Sequence, residues 1–207
     1  MTETRAPDST RTDPPEPPVS YEEFLAWTDE DVFAEWIDGD IHVMSPASDR
    51  HQDLARFLTV LFSHAAEAGE NAAIVRPAPF QMKLERGCEP DLLVVAEEHR
   101  NRLRETYLKG PADLVVEIVS PGSGARDRGE KFYEYEAAGI PEYWLVDPQR
   151  EELAVYRLDE DRYRTAFEGH EGRAASEVLE GFWIDAEWLW QEELPAVLDV
   201  LRRWEVI

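Results

Sequence analysis

The sequence predicts a mixed α/β domain. Strand-like apolar runs outnumber helical ones along the chain, and two well-formed amphipathic helices interrupt them. Of 207 residues, 43% are hydrophobic and 11% aromatic, seven of them Trp, so a proper core is available. A chain of this length buries roughly 70% of its surface. Wholly disordered chains are therefore excluded.

Residues 1–19 hold five Pro and almost no large apolar side chains, which predicts a disordered tail. A single folded domain is expected over 20–190, and a C-terminal helix over 191–207. Order should begin at Ser20, because Ser20 and Glu23 form a capping box for a short helix to about Trp27. FAEWIDGDIHVM places two apolar runs around Asp38-Gly39, the strongest short hairpin signal, and Ser45-Pro46 stops the second strand. From Asp49 onward Leu54, Phe57, Leu58, Leu61, Phe62 and Ala65 recur at helical spacing, and Gly69 ends that helix. AAIVRP, APFQMKL and PDLLVVA read as strands. The Arg-rich HRNRLRETYLKG connects them to a further strand, DLVVEIVS. A second helix is expected from about Ala125 to Ala138, closed by Gly139. EYWLVD and ELAVYRL form a strand pair around Pro148, followed by short strands and two acidic, Trp-bearing helices.

Charge is the unusual feature: 45 Asp and Glu face 21 Lys and Arg, for a formal charge of -24. Only three residues are lysines, Lys83, Lys109 and Lys131. Such a body repels phosphate backbones at long range, and a high-salt cytoplasm would explain the composition. The single cysteine, Cys88, excludes an internal disulfide framework and a cysteine-built zinc site. No stretch approaches the ~20 apolar residues of a membrane-spanning helix, and the N-terminus lacks a secretory h-region. A cytoplasmic protein with no membrane partner is expected. No phosphate-cradling Gly-rich loop or G-x-S-x-G elbow is present, which leaves kinases, nucleotide-binding dehydrogenases and α/β-hydrolases unsupported.

Three acids stand where strand patterns place apolar residues: Glu35 in FAEWI, Asp91 opening PDLLVVA, and Glu117 in DLVVEIVS. The neighbours of Glu117 mark a strand buried on both faces, where an ionised carboxylate is costly unless paired or bound to a cation. A salt bridge to a buried Arg, or a place at a strand end that reaches water, would account for Glu117 alone. The set points further, because carboxylate oxygens are what Mg²⁺ or Mn²⁺ prefer. Asp91 and Glu117 on neighbouring strands would supply two ligands, Glu35 a third or a held water, and the Ile118 carbonyl another oxygen. Lys131, on the helix after the Glu117 strand, would orient water or stabilise a transition state. Alternatively Lys131 is a solvated helix residue paired with Asp127 at i,i+4, with Tyr135 one turn further on. His51 either lines the site or is structural. Asp127 and Tyr135 complete the accessory candidates.

EWIDGDIHVMSP, His51, EPDLLVV, LVVEIVSP and D-x-x-x-K-x-x-x-Y followed by GIPEYWLVDP, in this order, resemble the Uma-two family. Its members are classed as bacterial restriction endonucleases of the PD-(D/E)XK nuclease fold, and the resemblance spans about 20–190. It implies a restriction-endonuclease-like core, a central mixed sheet flanked by helices with added hairpins, and a divalent-metal site for phosphodiester hydrolysis. The family's acidic positions fall on Glu35, Asp91 and Glu117, and its lysine on Lys131. The wider superfamily's E-x-K signature would put lysine at 119, where this chain has Val119; in the Uma-two pattern that position is likewise apolar.

Two functions follow. One is a Mg²⁺- or Mn²⁺-dependent endonuclease whose partner is nucleic acid, DNA first, with basic strips Arg100, Arg102, Arg104 and Lys109 or Arg126, Arg128 and Lys131 diluted by nearby acids. The other is a non-catalytic interaction protein that keeps the fold and its acidic cluster. The C-terminal Leu194, Val197, Leu198 and Leu201 at helical spacing would dock either on their own domain or on a second copy as a homodimer.

Overall fold

A computed structural model describes residues 14–20, 23–24, 27, 34–37, 39–43, 48–69, 72–84, 87–120 and 129–205, with the backbone alone at 34–37, 42–43 and 87. The chain divides into two compact units, Met1–Pro46 and Ala47–Ile207. Ser45, Pro46, residues 125–128 and most of the short first helix lie outside the described residues. Among the described residues no helix is long and apolar enough to cross a membrane.

In the first unit the capping box forms as its sequence requires. The Ser20 amide donates to Glu23 Oε2 at 2.8 Å, and the Glu23 amide donates to Ser20 Oγ at 3.2 Å. Val19, at the end of the expected tail, is buried, and its amide donates to the Gly39 carbonyl at 2.7 Å. β1 (Ala34–Ile37) and β2 (Asp40–Val43) pair antiparallel through a turn in which Gly39 holds φ 94°. An added Cβ there would meet Pro18 at 3.2 Å, so the turn needs glycine twice over.

The second unit is built on a six-stranded sheet. Its strands are β3 (Ala73–Pro77), β6 (Leu92–Ala96), β8 (Leu114–Ile118), β9 (Glu142–Asp147), β10 (Glu152–Asp159) and β11 (Arg162–Gly169). Their order across the sheet is β11-β10-β9-β8-β6-β3. Only β8 and β9 run parallel, because the helix α2 (Glu130–Ala138) carries the chain from one to the other; the remaining neighbours are antiparallel. The sheet is mixed, as the α/β reading expected.

Helix α1 (Asp49–Ala68) covers one face. Its Leu54, Phe57, Leu58, Leu61 and Phe62 pack with Leu92, Val94, Leu114, Val116 and Trp144. The Ser48 hydroxyl caps α1 by accepting from the His51 amide at 3.2 Å. The opposite face carries Leu93, Val95, Val115, Tyr143 and Leu145, packed with Tyr135 of α2 and with Met82 and Leu108 of a smaller sheet. That smaller sheet has order β5-β4-β7, from β4 (Gln81–Lys83), β5 (Gly87–Cys88) and β7 (Tyr107–Lys109). The Arg-rich connection predicted from sequence thus contains a strand and a 3-10 turn over Glu97–Arg102.

Beyond β11, β12 (Arg173–Ala175) pairs with β13 (Trp183–Asp185). Of the two expected Trp-bearing helices, the first is a 3-10 turn, Ala186–Trp190, and the second is α3 (Val197–Arg203). Helix α3 packs on its own domain: Val200 and Leu201 are buried, while Leu198 stays 58% exposed.

Candidate active site

Strand alternation decides which face each β8 residue serves. Leu114, Val116 and Ile118 face α1, which leaves Val115, Glu117 and Val119 for the α2 side. Glu117 is 2% exposed. A carboxylate so placed needs partners, and α2 supplies two. Lys131 Nζ lies 2.9 Å from Glu117 Oε2, and the Tyr135 hydroxyl donates to Oε1 at 2.5 Å. The i,i+4 spacing of Lys131 and Tyr135 puts both on one helix face. Lys131 is 5% exposed, so the solvated reading of that lysine is corrected: its partner here is Glu117 across the layer. Burial and the adjacent Glu117 charge push the Tyr135 phenol well above its ordinary range, keeping it a donor.

Asp91 precedes β6 by one residue. The antiparallel register pairs Leu92 with Val116, so one step further Asp91 stands opposite Glu117. The Ile118 amide donates to Asp91 Oδ2 at 2.7 Å, and His51 Nε2, from the first turn of α1, lies 3.2 Å from Oδ1. Burial alone would lower the His51 pKa. The hydrogen bond and charge of Asp91, a hydrogen bond to the Ile118 backbone and the Glu117 charge outweigh it, so the imidazole is held above its usual value.

Asp91, Glu117, Ile118, Lys131, Tyr135 and His51 therefore gather at the β6–β8 junction, as the sequence reading grouped them. Glu35 lies on β1 opposite His42, with its side chain outside the described residues, and Asp127 lies outside them altogether. The sequence offers Tyr135 as an accessory candidate, through its four-residue offset from Lys131, and the structure supplies its partner, Glu117. A second carboxylate–imidazole pair, with only its acid buried, escaped notice. Asp113 accepts from the Ala96 amide at 2.7 Å and sits 2.7 Å from His99 Nδ1, pinning the 3-10 turn to β6.

Carboxylate and carbonyl oxygens from two adjacent strands fit a hard divalent cation, and Mg²⁺ asks no more than one or two carboxylates of a protein. Among the described residues no three His, Cys, Asp or Glu side chains form a complete cage. Both carboxylates instead have partners within the chain: Glu117 pairs with Lys131, and Asp91 has His51 Nε2 3.2 Å from Oδ1.

A profile of the Uma2 family, described as "Putative restriction endonuclease", matches residues 21–187. The chain belongs to the Uma2 family. Uma2 membership agrees with the resemblance carried by the ordered motifs. "Uncharacterized protein slr1290" of Synechocystis is 29% identical over 150 residues, 71% of this chain and 78% of that protein. The Uma2 fold also matches the crystal structure of "a putative nuclease belonging to DUF820" from Anabaena variabilis. The TM-score is 0.69 at 16% identity, covering 84% of this chain and 98% of the other. The likeness shows a shared fold, a central mixed sheet flanked by helices, and with the family it supports a nuclease.

Proposed function

We propose that this chain is a Mg²⁺- or Mn²⁺-dependent endonuclease that hydrolyses phosphodiester bonds in DNA. The observation that carries the reading is the buried Glu117–Lys131 pair, 2.9 Å apart, beside Asp91 on the neighbouring strand. A purely structural core would fill these positions with apolar residues at no loss of stability.

In this reading Asp91, Glu117 and the Ile118 carbonyl hold the ion. The bound ion would lower the pKa of a coordinated water and offset charge on the phosphate. Lys131 presents a fixed ammonium to the oxygen on which charge develops. Tyr135 orients Glu117 by occupying one of its oxygens, and His51 does the same for Asp91; such supporting hydrogen bonds align ligands. High salt shortens the reach of the chain's net negative charge, so DNA approach becomes easier as ionic strength rises from very low values.

The test is cleavage of single- and double-stranded DNA with Mg²⁺ or Mn²⁺ from low to molar salt, beside Asp91→Ala. Metal-dependent cutting that disappears in Asp91→Ala is the expected result. Cutting by both proteins overturns the site assignment. A folded wild type that cuts nothing moves the assignment to the interaction protein.

A further inference from the structure

Two of the chain's three lysines stand side by side. β4 and β7 run parallel with Lys83 opposite Lys109, Met82 opposite Leu108 and Gln81 opposite Tyr107. Met82 and Leu108 are fully buried against the main sheet. Alternation therefore turns Gln81, Lys83, Tyr107 and Lys109 outward, and both lysines are exposed.

Like charges directly opposite on paired strands are destabilising. With 45 carboxylates in the sequence, relief would be easy to supply. Yet neither lysine forms an ion pair among the described residues, whereas Arg56, Arg100, Arg157, Arg162, Arg173 and Arg202 each contact a carboxylate. Lys83 instead lies 5.8 Å from the Tyr107 ring centroid. On β3 the exposed Arg76 has its guanidinium 6.0 Å from the Phe80 ring, and the connection that follows β3 meets the candidate site, where the Ala78 amide donates to the Asp91 carbonyl at 3.0 Å. The basic strip expected from sequence is different, since Arg100 is paired with Glu97 and Arg102 is committed to the Pro111 carbonyl.

We infer that the outer face of β4 and β7, with Lys83 and Lys109 at its centre, binds the phosphate backbone of DNA. The inference rests on the nuclease reading and specifies where its substrate lies. The small sheet stands one layer from the main sheet, about 10 Å away. Each strand of a duplex carries one phosphate per roughly 3.4 Å of helix axis, so a few nucleotides span the distance. An in-register lysine pair that forms no ion pair among the described residues offers two point charges to such a backbone and no sequence readout.

The experiment is fluorescence anisotropy of a labelled DNA duplex in EDTA, where no cutting occurs, titrated across salt. It compares wild type, Lys83→Gln/Lys109→Gln and a charge-matched control, Arg56→Gln/Arg202→Gln, with each fold checked by circular dichroism. Loss of two phosphate contacts is expected to flatten the slope of log affinity against log salt by about 1.8 and to weaken binding at 0.1 M salt roughly 10- to 60-fold, with the control unchanged. Equal affinity and slope in wild type and the lysine variant overturn the surface and leave the nuclease reading intact. Equal losses in lysine variant and control also overturn it, as an effect of net charge alone. Wild type that binds no duplex at any salt concentration in the titration overturns the surface, and the cleavage assay then judges the nuclease reading separately.

Discussion

Lys131 Nζ lies 2.9 Å from Glu117 Oε2, with both side chains under 7% exposed, so α2 and β8 are joined through charge as well as through apolar packing. Removing one partner leaves the other buried without a counter-charge. Lys131→Met is expected to cost about 3–5 kcal/mol of stability, read by urea unfolding. The double variant Glu117→Leu/Lys131→Met should recover most of that loss, because no buried charge remains. If the double variant is as unstable as the sum of its singles, the pair is not coupled in this way.

Tyr135 donates to the other Glu117 oxygen from full burial. Tyr135→Phe keeps the ring and removes one hydrogen bond, leaving that oxygen unsatisfied. The expected cost is about 1–3 kcal/mol. A thermal melt indistinguishable from wild type would show that water replaces the hydroxyl.

His51 and Asp91 tie the start of α1 to the β6–β8 junction. The folded-state pKa of His51 is raised, through Asp91, Ile118 and Glu117 acting against burial. A raised pKa means protonation favours the fold. That stabilisation is fully present below the unfolded value of about 6.5 and is lost as pH rises through the higher folded value. The stability gap between wild type and His51→Ala, measured by denaturant unfolding, should therefore be widest at mildly acid pH and shrink with rising pH. A gap that grows with pH would contradict this.

Helix α2 is stopped by Gly139 at φ 77°, whose amide donates to the Glu136 carbonyl while that of Ile140 donates to the Tyr135 carbonyl. An added Cβ would meet nothing within 4 Å, so backbone strain alone sets the penalty. Gly139→Ala should cost roughly 1–2 kcal/mol, measurable as a lowered unfolding midpoint.

Much of the site was legible because its signals are local. Glu117 interrupts a run that only a doubly buried strand produces, and the α1 heptad-like spacing named its core residues Leu54 to Ala65 correctly. The ordered motifs identified the family. The partner of Lys131 was not legible: an i−4 acid on the same helix and a carboxylate on another strand are equally good neighbours in one dimension. The same holds for β7, whose three residues lie in an Arg-rich stretch and become a strand only by pairing with β4. It holds too for the basic surface, where cross-strand register rather than sequence density brought Lys83 beside Lys109. By itself the sequence determined the mixed α/β class, the capping and turn chemistry, and the buried carboxylate Glu117, because these depend on periodicity and on the cost of burying charge. The tertiary structure alone decided that Lys131 is the cation beside that carboxylate, because ion pairing depends on separations of a few ångströms between elements apart in the chain.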